Sequence, residues 1–247
     1  MSRTVLLVIA AFAALTQPRS PAADDEFQSL FNGKNLAGWD GDPSLWSVKD
    51  GAIVGKTDGK IPDNTFLIWN GTASDFELHA QFRMHGGNSG IQYRSKQVKG
   101  NFVVAGYQAD MDADNRYTGI LYEERVRGIL AERGQKVVIA ANGDRYVVGS
   151  TGDRAELTRA IHADGWNDYV IVASGNKLTH SINGKLTIEV VDHQAAKRAM
   201  DGIIALQLHK GFSMTVEFKD IKLKKLPPGK ILSPEETPIP PGAKKVK

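Results

Sequence analysis

Tight-turn dipeptides recur along this chain and limit its fold more than any other feature. Asparagine or aspartate followed by glycine tolerates the positive φ angles of two-residue β-hairpin turns. Such pairs include Asn32-Gly33, Asp50-Gly51, Asn70-Gly71, Asn142-Gly143 and Asn183-Gly184. A chain interrupted in this way at short intervals is typical of antiparallel β-structure with hairpin connections.

Alternation of apolar and polar residues marks the strands between these turns. The clearest run covers residues 76–84, where every second residue is apolar and its neighbours are polar. Alternation with a period of two predicts a strand with one buried and one exposed face. Helical periodicity is confined to residues 154–161 and 194–200. The sequence therefore predicts an all-β fold in which two antiparallel sheets pack as a sandwich.

The first 22 residues have the three parts of a secretory signal peptide. Arg3 supplies the positive charge, residues 5–15 form an apolar run, and Ser20-Pro21-Ala22 is a small-x-small cleavage site. The apolar run is shorter than the roughly 20 residues that a membrane-spanning helix needs. We therefore expect an exported chain, periplasmic or extracellular, with no integral membrane span after cleavage.

One domain is expected over residues 23–226. A chain of 247 residues with 41% hydrophobic content can bury one core, and the absence of cysteine excludes disulfides. The proline-rich residues 227–247 are interpreted as a tail that adds no strand. Loss of Arg3 and Arg19 with the signal peptide reduces the formal charge from +3 to +1. Such a chain has no electrostatic reason to bind nucleic acid.

Polar residues at alternate positions of three predicted strands are candidates for the floor of a binding site. They are Gln92 and Arg94, Gln108 and Asp110, and Gln207 and His209. If the three strands are neighbours, one sheet face carries all of these side chains. The alternative interpretation is that this face is simply the solvated side of the sandwich.

Acidic residues near this face match neither of two common motifs. Asp110 and Asp112 could hold a divalent cation, although their spacing does not fit the calcium loop between two helices, and no cofactor is required. Gln108 stands where a retaining glucanase would carry its nucleophile, which disfavours double-displacement hydrolysis. Glu123 and Glu124 follow, and alternation would aim one of them at the site and the other away.

Ordered motifs extend over residues 26–226. They are LFNGKNLAGW at 30–39, WSVKDGAI at 46–53, GNSGIQYR at 87–94, GYQ at 106–108, TGILY at 118–122 and GIIALQLH at 202–209. In this order and spacing they resemble the exported bacterial 3-keto-disaccharide hydrolases, also described as 3-keto-glucoside 1,2-lyases and 3-keto-2-hydroxy-glucal hydratases. The resemblance implies a concanavalin A-like jelly-roll β-sandwich with a concave site for a small oxidised sugar.

The chemistry that the resemblance implies differs from that of an ordinary glycosidase. A ketone at C3 of a glucoside acidifies the C2 proton, so a base can remove it while the C1 substituent leaves, and water then adds. Asp110 or Glu123 is the candidate base, and His209 is the candidate acid. Arg94, or a cation near Asp110 and Asp112, would stabilise the enolate. The residues expected to bind the sugar are Gln92, Arg94, Gln108, Tyr122 and Gln207.

One strand departs from the family pattern. Family members read Gly-Tyr-Glu-x-Gln there, whereas residues 106–110 read Gly-Tyr-Gln-Ala-Asp, so acid and amide have changed places. The segment 122–150 also looks particular to a subgroup. Because folds of this shape often only bind sugars, a non-catalytic, lectin-like carbohydrate-binding module is the alternative function.

Overall fold

The computed structural model describes residues 26–98 and 100–246, which form eighteen strands and one short helix. The strands are β1 (Gln28–Ser29), β2 (Trp39–Asp40), β3 (Trp46–Lys49), β4 (Ala52–Thr57), β5 (Thr65–Ala73), β6 (Phe76–His85), β7 (Asn88–Gln97), β8 (Val104–Asp112), β9 (Leu121–Glu124), β10 (Gly128–Ala131), β11 (Gln135–Ile139), β12 (Arg145–Ser150), β13 (Asn167–Ser174), β14 (Lys177–Ile182), β15 (Lys185–Asp192), β16 (Gly202–Leu208), β17 (Met214–Lys225) and β18 (Lys244–Val246). The helix α1 covers Arg154–Arg159. The predicted signal peptide lies outside the described residues. Within them, no helix has the length and apolarity to cross a membrane.

Two sheets pack on one hydrophobic core, which confirms the predicted all-β jelly-roll sandwich. The large sheet has the order β18-β12-β11-β15-β14-β13-β6-β17-β4-β3, and β1 also pairs with β17. The small sheet has the order β10-β9-β8-β7-β16-β5-β2. Strand neighbours distant in sequence, such as β6 and β17, show that the hairpins are connected by crossovers between the sheets.

The predicted alternation over residues 76–84 is the pattern of β6. Buried and half-buried residues alternate along this strand from Phe76 to Met84. It lies between β13 and β17, and its apolar side chains face the core, where Phe76 and Leu78 are fully buried. Burial of one such side chain stabilises the fold by roughly 1.5–3 kcal/mol.

One strand pair is not antiparallel. β11 runs parallel to β15, with Gln135 opposite Ile188. This strand belongs to the segment 122–150, which leaves the small sheet after β10 and adds the β11–β12 hairpin to the edge of the large sheet. The crossover from one sheet to the other sets the direction of β11, and no local sequence signal indicates that direction.

Two of the predicted turn dipeptides form hairpin turns, and a third lies inside a strand. Asp50-Gly51 and Asn183-Gly184 have positive φ angles, 50° and 76° in the first pair and 48° and 75° in the second, and each joins two strands of a hairpin. The prediction of a turn at Asn70-Gly71 is wrong, because this pair lies inside β5. A Cβ at Gly71 would come within 2.3 Å of the Trp69 ring, so this glycine makes room for a side chain.

The expectation that residues 227–247 add no strand is wrong. β18 pairs with Arg145–Val147 of β12. Before it, Leu232 donates its backbone N–H to Asn176 Oδ1 at 2.8 Å, and Asn176 Nδ2 donates to Leu232 O at 3.1 Å. The prolines all precede residue 242, so the N–H groups of the last residues are free to pair with a strand.

Truncation after Leu226 is accordingly expected to lower the melting temperature by several degrees. It removes a strand and both hydrogen bonds between Leu232 and the side chain of Asn176, which is 2% exposed. Thermal unfolding of the truncated and full chains measures the difference. A chain ending at residue 243 is the matched control, since it keeps Leu232 and loses only β18. An unchanged melting temperature after truncation at 226 would contradict the packing described above.

Candidate functional site

A cavity of about 350 Å³ lies on the outer face of the small sheet, away from the core. Its polar lining includes Asn64, Asn88, Gln108, Asp110, Tyr117, Tyr122 and Glu124. His209, Phe212 and Ile129 also line it, and the last two side chains are large, apolar and exposed. The predicted polar floor therefore lies in a cavity with side walls and is not simply the solvent-exposed face of the sandwich.

The register of two neighbouring strands brings the central residues together. In β8, Tyr107 and Ala109 face the core, so Gln108 and Asp110 face outward. In β9, Tyr122 lies opposite Gln108 and therefore shares its face. Alternation then puts Glu124 on the cavity side as well.

Asp110 is a buried carboxyl group with one oxygen held and one oxygen open. Its Oδ1 accepts hydrogen bonds from Asn88 Nδ2, Gln108 Nε2 and the Met111 backbone N–H, each at 3.1 Å. No residue in the described part of the chain hydrogen-bonds to its Oδ2. Burial raises the pKa of Asp110 to about 8, and the nearby Asp112 carboxylate adds to the rise.

Three buried glutamines, Gln92, Gln108 and Gln207, form an amide floor beneath the cavity. The side-chain amides of Gln92 and Gln108 lie 2.7 Å apart. Gln108 Nε2 also lies 3.4 Å from Gln207 Oε1, and Gln207 Nε2 lies 3.5 Å from Glu124 Oε2. A chain of amides therefore connects Asp110 to Glu124 and holds both carboxyl groups in place.

Glu124 is the second carboxyl group of the cavity. Asn64 Nδ2 donates to its Oε1 at 3.2 Å, and Arg125 Nε lies 3.8 Å from the same oxygen. Desolvation by burial raises the pKa of Glu124 despite these partners. The shift makes the protonated form of Glu124 easier to reach than that of an exposed glutamate, which is the direction that a general acid needs.

Two further side chains offer hydrogen bonds to a ligand. Burial, with the nearby charges of Glu124 and Asp110, raises the pKa of Tyr122, so its hydroxyl keeps its proton and can donate. His209 Nδ1 lies 2.7 Å from the backbone oxygen of Lys210. Because a carbonyl oxygen can only accept, Nδ1 carries the hydrogen, and the neutral ring offers Nε2 as an acceptor.

Glu123 does not lie in this cavity, contrary to expectation. It is opposite Tyr107, whose ring faces the core, and it is 2% exposed. Arg127 donates to both of its oxygens, and the same guanidinium donates to Asp192 Oδ2 at 2.8 Å. The role of a base does not fit this ion-paired position, and Glu124 takes its place on the cavity side.

Arg94 also lies away from the cavity, so it cannot stabilise an enolate there. A register shift between Tyr93 and Lys96 and a φ of 44° at Arg94 break the alternation of β7. Its guanidinium donates to the backbone oxygens of Ser74 and Gly175 at 2.6 and 2.7 Å. The residue is a structural anchor between the two sheets.

The carboxylate of Asp112 is occupied by backbone groups. Its oxygens accept the backbone N–H groups of Arg116, Tyr117 and Thr118 at 3.0, 2.7 and 2.9 Å. Asp112 therefore fixes the loop after β8 and is not available to bind a cation together with Asp110. Within residues 26–98 and 100–246, no cluster of three His, Cys, Asp or Glu has the arrangement of a metal site.

Sequence reasoning missed Asn64, Asn88 and Phe212. Asn88 is the residue before the alternating part of β7, where a longer alternation would have found it. Asn64 and Phe212 lie in loops, and nothing in their local sequence indicates that the loops meet at the cavity. Of the predicted residues, the cavity brings together Gln108, Asp110, Tyr122 and His209, with Gln92 and Gln207 in the floor below.

Comparison with known proteins supports the motif resemblance. Residues 26–224 match the family described as the 3-keto-alpha-glucoside-1,2-lyase-like domain. A 3-keto-disaccharide hydrolase of Bacteroides thetaiotaomicron is 33% identical over 88 residues, which cover 32% of this chain and 30% of that protein. The match thus includes less than a third of that relative's length.

Solved structures share the fold at low identity. A candidate glycosyl hydrolase of Parabacteroides distasonis has a TM-score of 0.56 and 19% identity, covering 81% of this chain and 100% of that chain. The carbohydrate-binding module CBM66 of Bacillus subtilis has a TM-score of 0.51 and 15% identity, covering 76% and 96% of the two chains. These structures are evidence for the fold alone. The family match, in contrast, extends from β1 into β17 and includes the strands that carry Gln108, Asp110 and Glu124, and on that match this chain belongs to the 3-keto-alpha-glucoside-1,2-lyase-like domain family.

Proposed function

We propose that this protein cleaves 3-keto-glycosides by elimination across C1 and C2, followed by addition of water. The observation that carries the proposal is Asp110, a buried carboxyl group whose Oδ2 is open in a sugar-sized cavity. Family membership supports the same chemistry. Both steps move only protons and the leaving group, so they require no redox cofactor.

Asp110 is the base in this mechanism. Its open oxygen removes the C2 proton, which the neighbouring C3 ketone has acidified, and the C2 electrons form the double bond as the C1–O bond breaks. The hydrogen bonds at Oδ1 fix the orientation of the carboxyl group. The low polarity that raises its pKa also makes the ionised form a stronger base.

Tyr122 and Glu124 stabilise the negative charges that develop on the ketone oxygen and on the departing C1 oxygen. The Tyr122 hydroxyl donates to the ketone oxygen as it becomes an enolate. Glu124 gives its proton to the departing C1 oxygen, and in the second step it takes a proton from the water that adds at C1. The protonated Asp110 returns its proton to C2. The products are the leaving group and the free 3-keto sugar, so the two steps amount to hydrolysis.

His209 is the second candidate for the proton donor. It can donate only as the imidazolium, because the hydrogen on Nδ1 of the neutral ring points to the Lys210 oxygen. In the neutral form we assign it to accept a sugar hydroxyl at Nε2. The protein is further proposed to act after export, as the predicted signal peptide implies.

The direct test is incubation of purified protein with 3-keto-trehalose and with methyl 3-keto-glucoside. Ultraviolet absorbance detects the unsaturated intermediate, and sugar analysis detects the released group. The parent glycosides without the ketone are the control, because their C2 proton is not acidic. Addition of EDTA in a parallel reaction tests the predicted cation. Cleavage of the parent glycosides at the same rate would contradict the mechanism.

Glu124→Gln is expected to lower kcat on an unactivated 3-keto-disaccharide by about 10²–10⁴-fold, the usual contribution of a general acid. An aryl 3-keto-glucoside should lose far less, since its leaving group needs little protonation. Glu123→Gln is the matched control, because the same change is made one residue away on the other face of β9. It should keep the turnover rate and lower the melting temperature. If His209→Gln shows the leaving-group dependence and Glu124→Gln does not, the histidine is the donor.

A further inference from the structure

A second cavity of about 390 Å³ adjoins the first one. The two share Asn64 in their lining, and the consecutive residues Glu124 and Arg125 line the first and the second cavity respectively. Each volume is near the lower end of the roughly 300–1,000 Å³ of ligand pockets, so one sugar ring fits in each. A disaccharide therefore needs both.

The lining of the second cavity suits a sugar ring. Leu45, Ile61 and Phe102 supply apolar surface, while Asp63 and Arg125 supply hydrogen-bonding groups. Sugars bind proteins through apolar contact with their C–H faces and hydrogen bonds to their hydroxyls, and this lining offers both.

The charges of this cavity argue against a charged ligand. Arg125 is paired with Asp63 at 2.7 Å, and Lys210 Nζ lies 3.6 Å from the same carboxylate. The carboxylate of Asp42 accepts from the backbone and hydroxyl of Ser44 at 2.9 and 2.7 Å. The cationic groups are thus engaged by a carboxylate, and none is left to neutralise an anionic sugar.

Two residues of the cavity hold strained backbone conformations. Phe102 has a φ of 59° and Arg125 a φ of 60°, a region that non-glycine residues rarely adopt. The Phe102 oxygen accepts the Phe66 backbone N–H at 2.9 Å, which fixes the loop against β5. Strain of this kind is retained where it positions side chains for a task.

We propose that the second cavity is the subsite for the leaving group and that it accepts an uncharged, hydroxylated ring, such as the second sugar of a 3-keto-disaccharide. This inference rests on the proposed function, because the oxidised ring must occupy the first cavity. The scissile C1–O bond then lies at the boundary between the cavities, beside Asn64 and Glu124. That position places the proton donor next to the oxygen that departs.

Asn101→Trp tests the subsite by filling it. Asn101 is exposed and lines the second cavity but not the first, so the substitution adds bulk without disturbing the core. We expect kcat/KM for a 3-keto-disaccharide to fall at least about tenfold, as overfilling a packed space typically does, while methyl 3-keto-glucoside changes by less than about twofold. Asn70→Trp is the matched control, since Asn70 is exposed and lines neither cavity.

The outcomes separate the two proposals. If Asn101→Trp lowers kcat/KM equally for both substrates, or for neither, the subsite is overturned. The proposed function still stands in that case, provided that the wild-type protein turns over methyl 3-keto-glucoside. Wild-type protein that turns over neither compound overturns the function and the subsite with it. With wild-type protein, a neutral leaving sugar should be preferred over a uronic acid, and the reverse preference overturns the assignment of an uncharged ring.

Discussion

Asp110→Asn is expected to abolish turnover of 3-keto-glucosides while it leaves their binding within about tenfold. The amide keeps the size of the carboxyl group, and its oxygen can still accept from Asn88 and Gln108. It has no basicity, so the C2 proton stays in place. Turnover assays together with calorimetric titration of a 3-keto-glucoside measure the two effects. Full activity in the variant would remove Asp110 from the mechanism and favour another base, whereas binding without turnover by the wild-type protein would favour a sugar-binding module.

The pH dependence gives an independent readout of the same carboxyl group. With a pKa of about 8, Asp110 is mostly protonated at neutral pH, so kcat/KM of the wild-type protein for an aryl 3-keto-glucoside, whose leaving group needs little protonation, should rise through about pH 8. Because the folded chain holds this proton more tightly than the unfolded chain, whose ordinary value is 3.8, stability should fall as the pH rises from 3.8 to about 8. Asp110→Asn should remove that fall and melt at a higher temperature than wild type at pH 8.

Arg127→Leu is expected to destabilise the protein by about 3–5 kcal/mol, the usual cost of leaving buried charges without a partner. The guanidinium donates to Glu123 and Asp192, whose side chains are 3% and 1% exposed. Removing it leaves two carboxylates buried near Tyr107 without their cationic partner. Thermal or urea unfolding of the variant and the wild-type protein measures the effect.

Arg154→Leu is the matched control for this prediction. Its ion pair with Glu132 at 2.7 Å is about half exposed, so its loss should cost at most about 1 kcal/mol. The double variant Arg127→Leu with Glu123→Gln should recover part of the stability. Equal destabilisation by the two arginine substitutions would contradict the description of the buried network.

The fold was predictable where local chemistry determines it. The alternation of β6 and the turn at Asn183-Gly184 were enough to identify a half-buried strand and a hairpin. The alternation of β8 likewise put Gln108 and Asp110 on one face. The parallel pairing of β11 with β15 and the pairing of β18 with β12 were not predictable. Both depend on the position of sheet edges that are distant in sequence.

The wrong predictions at the site have one physical cause. A bulge or a loop changes which face of the sheet the following residues point to, so alternation cannot be carried past it. The bulge at Arg94 turns its side chain away from the face that alternation assigned. The loop before β9 likewise separates Glu123 and Glu124 from the phase of β8, so the sequence left open which glutamate faces the cavity. Only the pairing of Tyr107 with Glu123 across the strands decides it.

The last residues of the chain have a consequence for the order in which the site is completed. β18 pairs with Arg145, and the guanidinium of Arg145 donates to the backbone oxygen of Ile129, which lines the first cavity. The small sheet that carries Asp110 and Glu124 is complete once β16 has been added, whereas the edge that holds Arg145 gains its last strand only at residues 244–246. A chain that ends before β18 should therefore keep the strands that carry its reactive groups and lose the strand pairing behind one wall of their cavity.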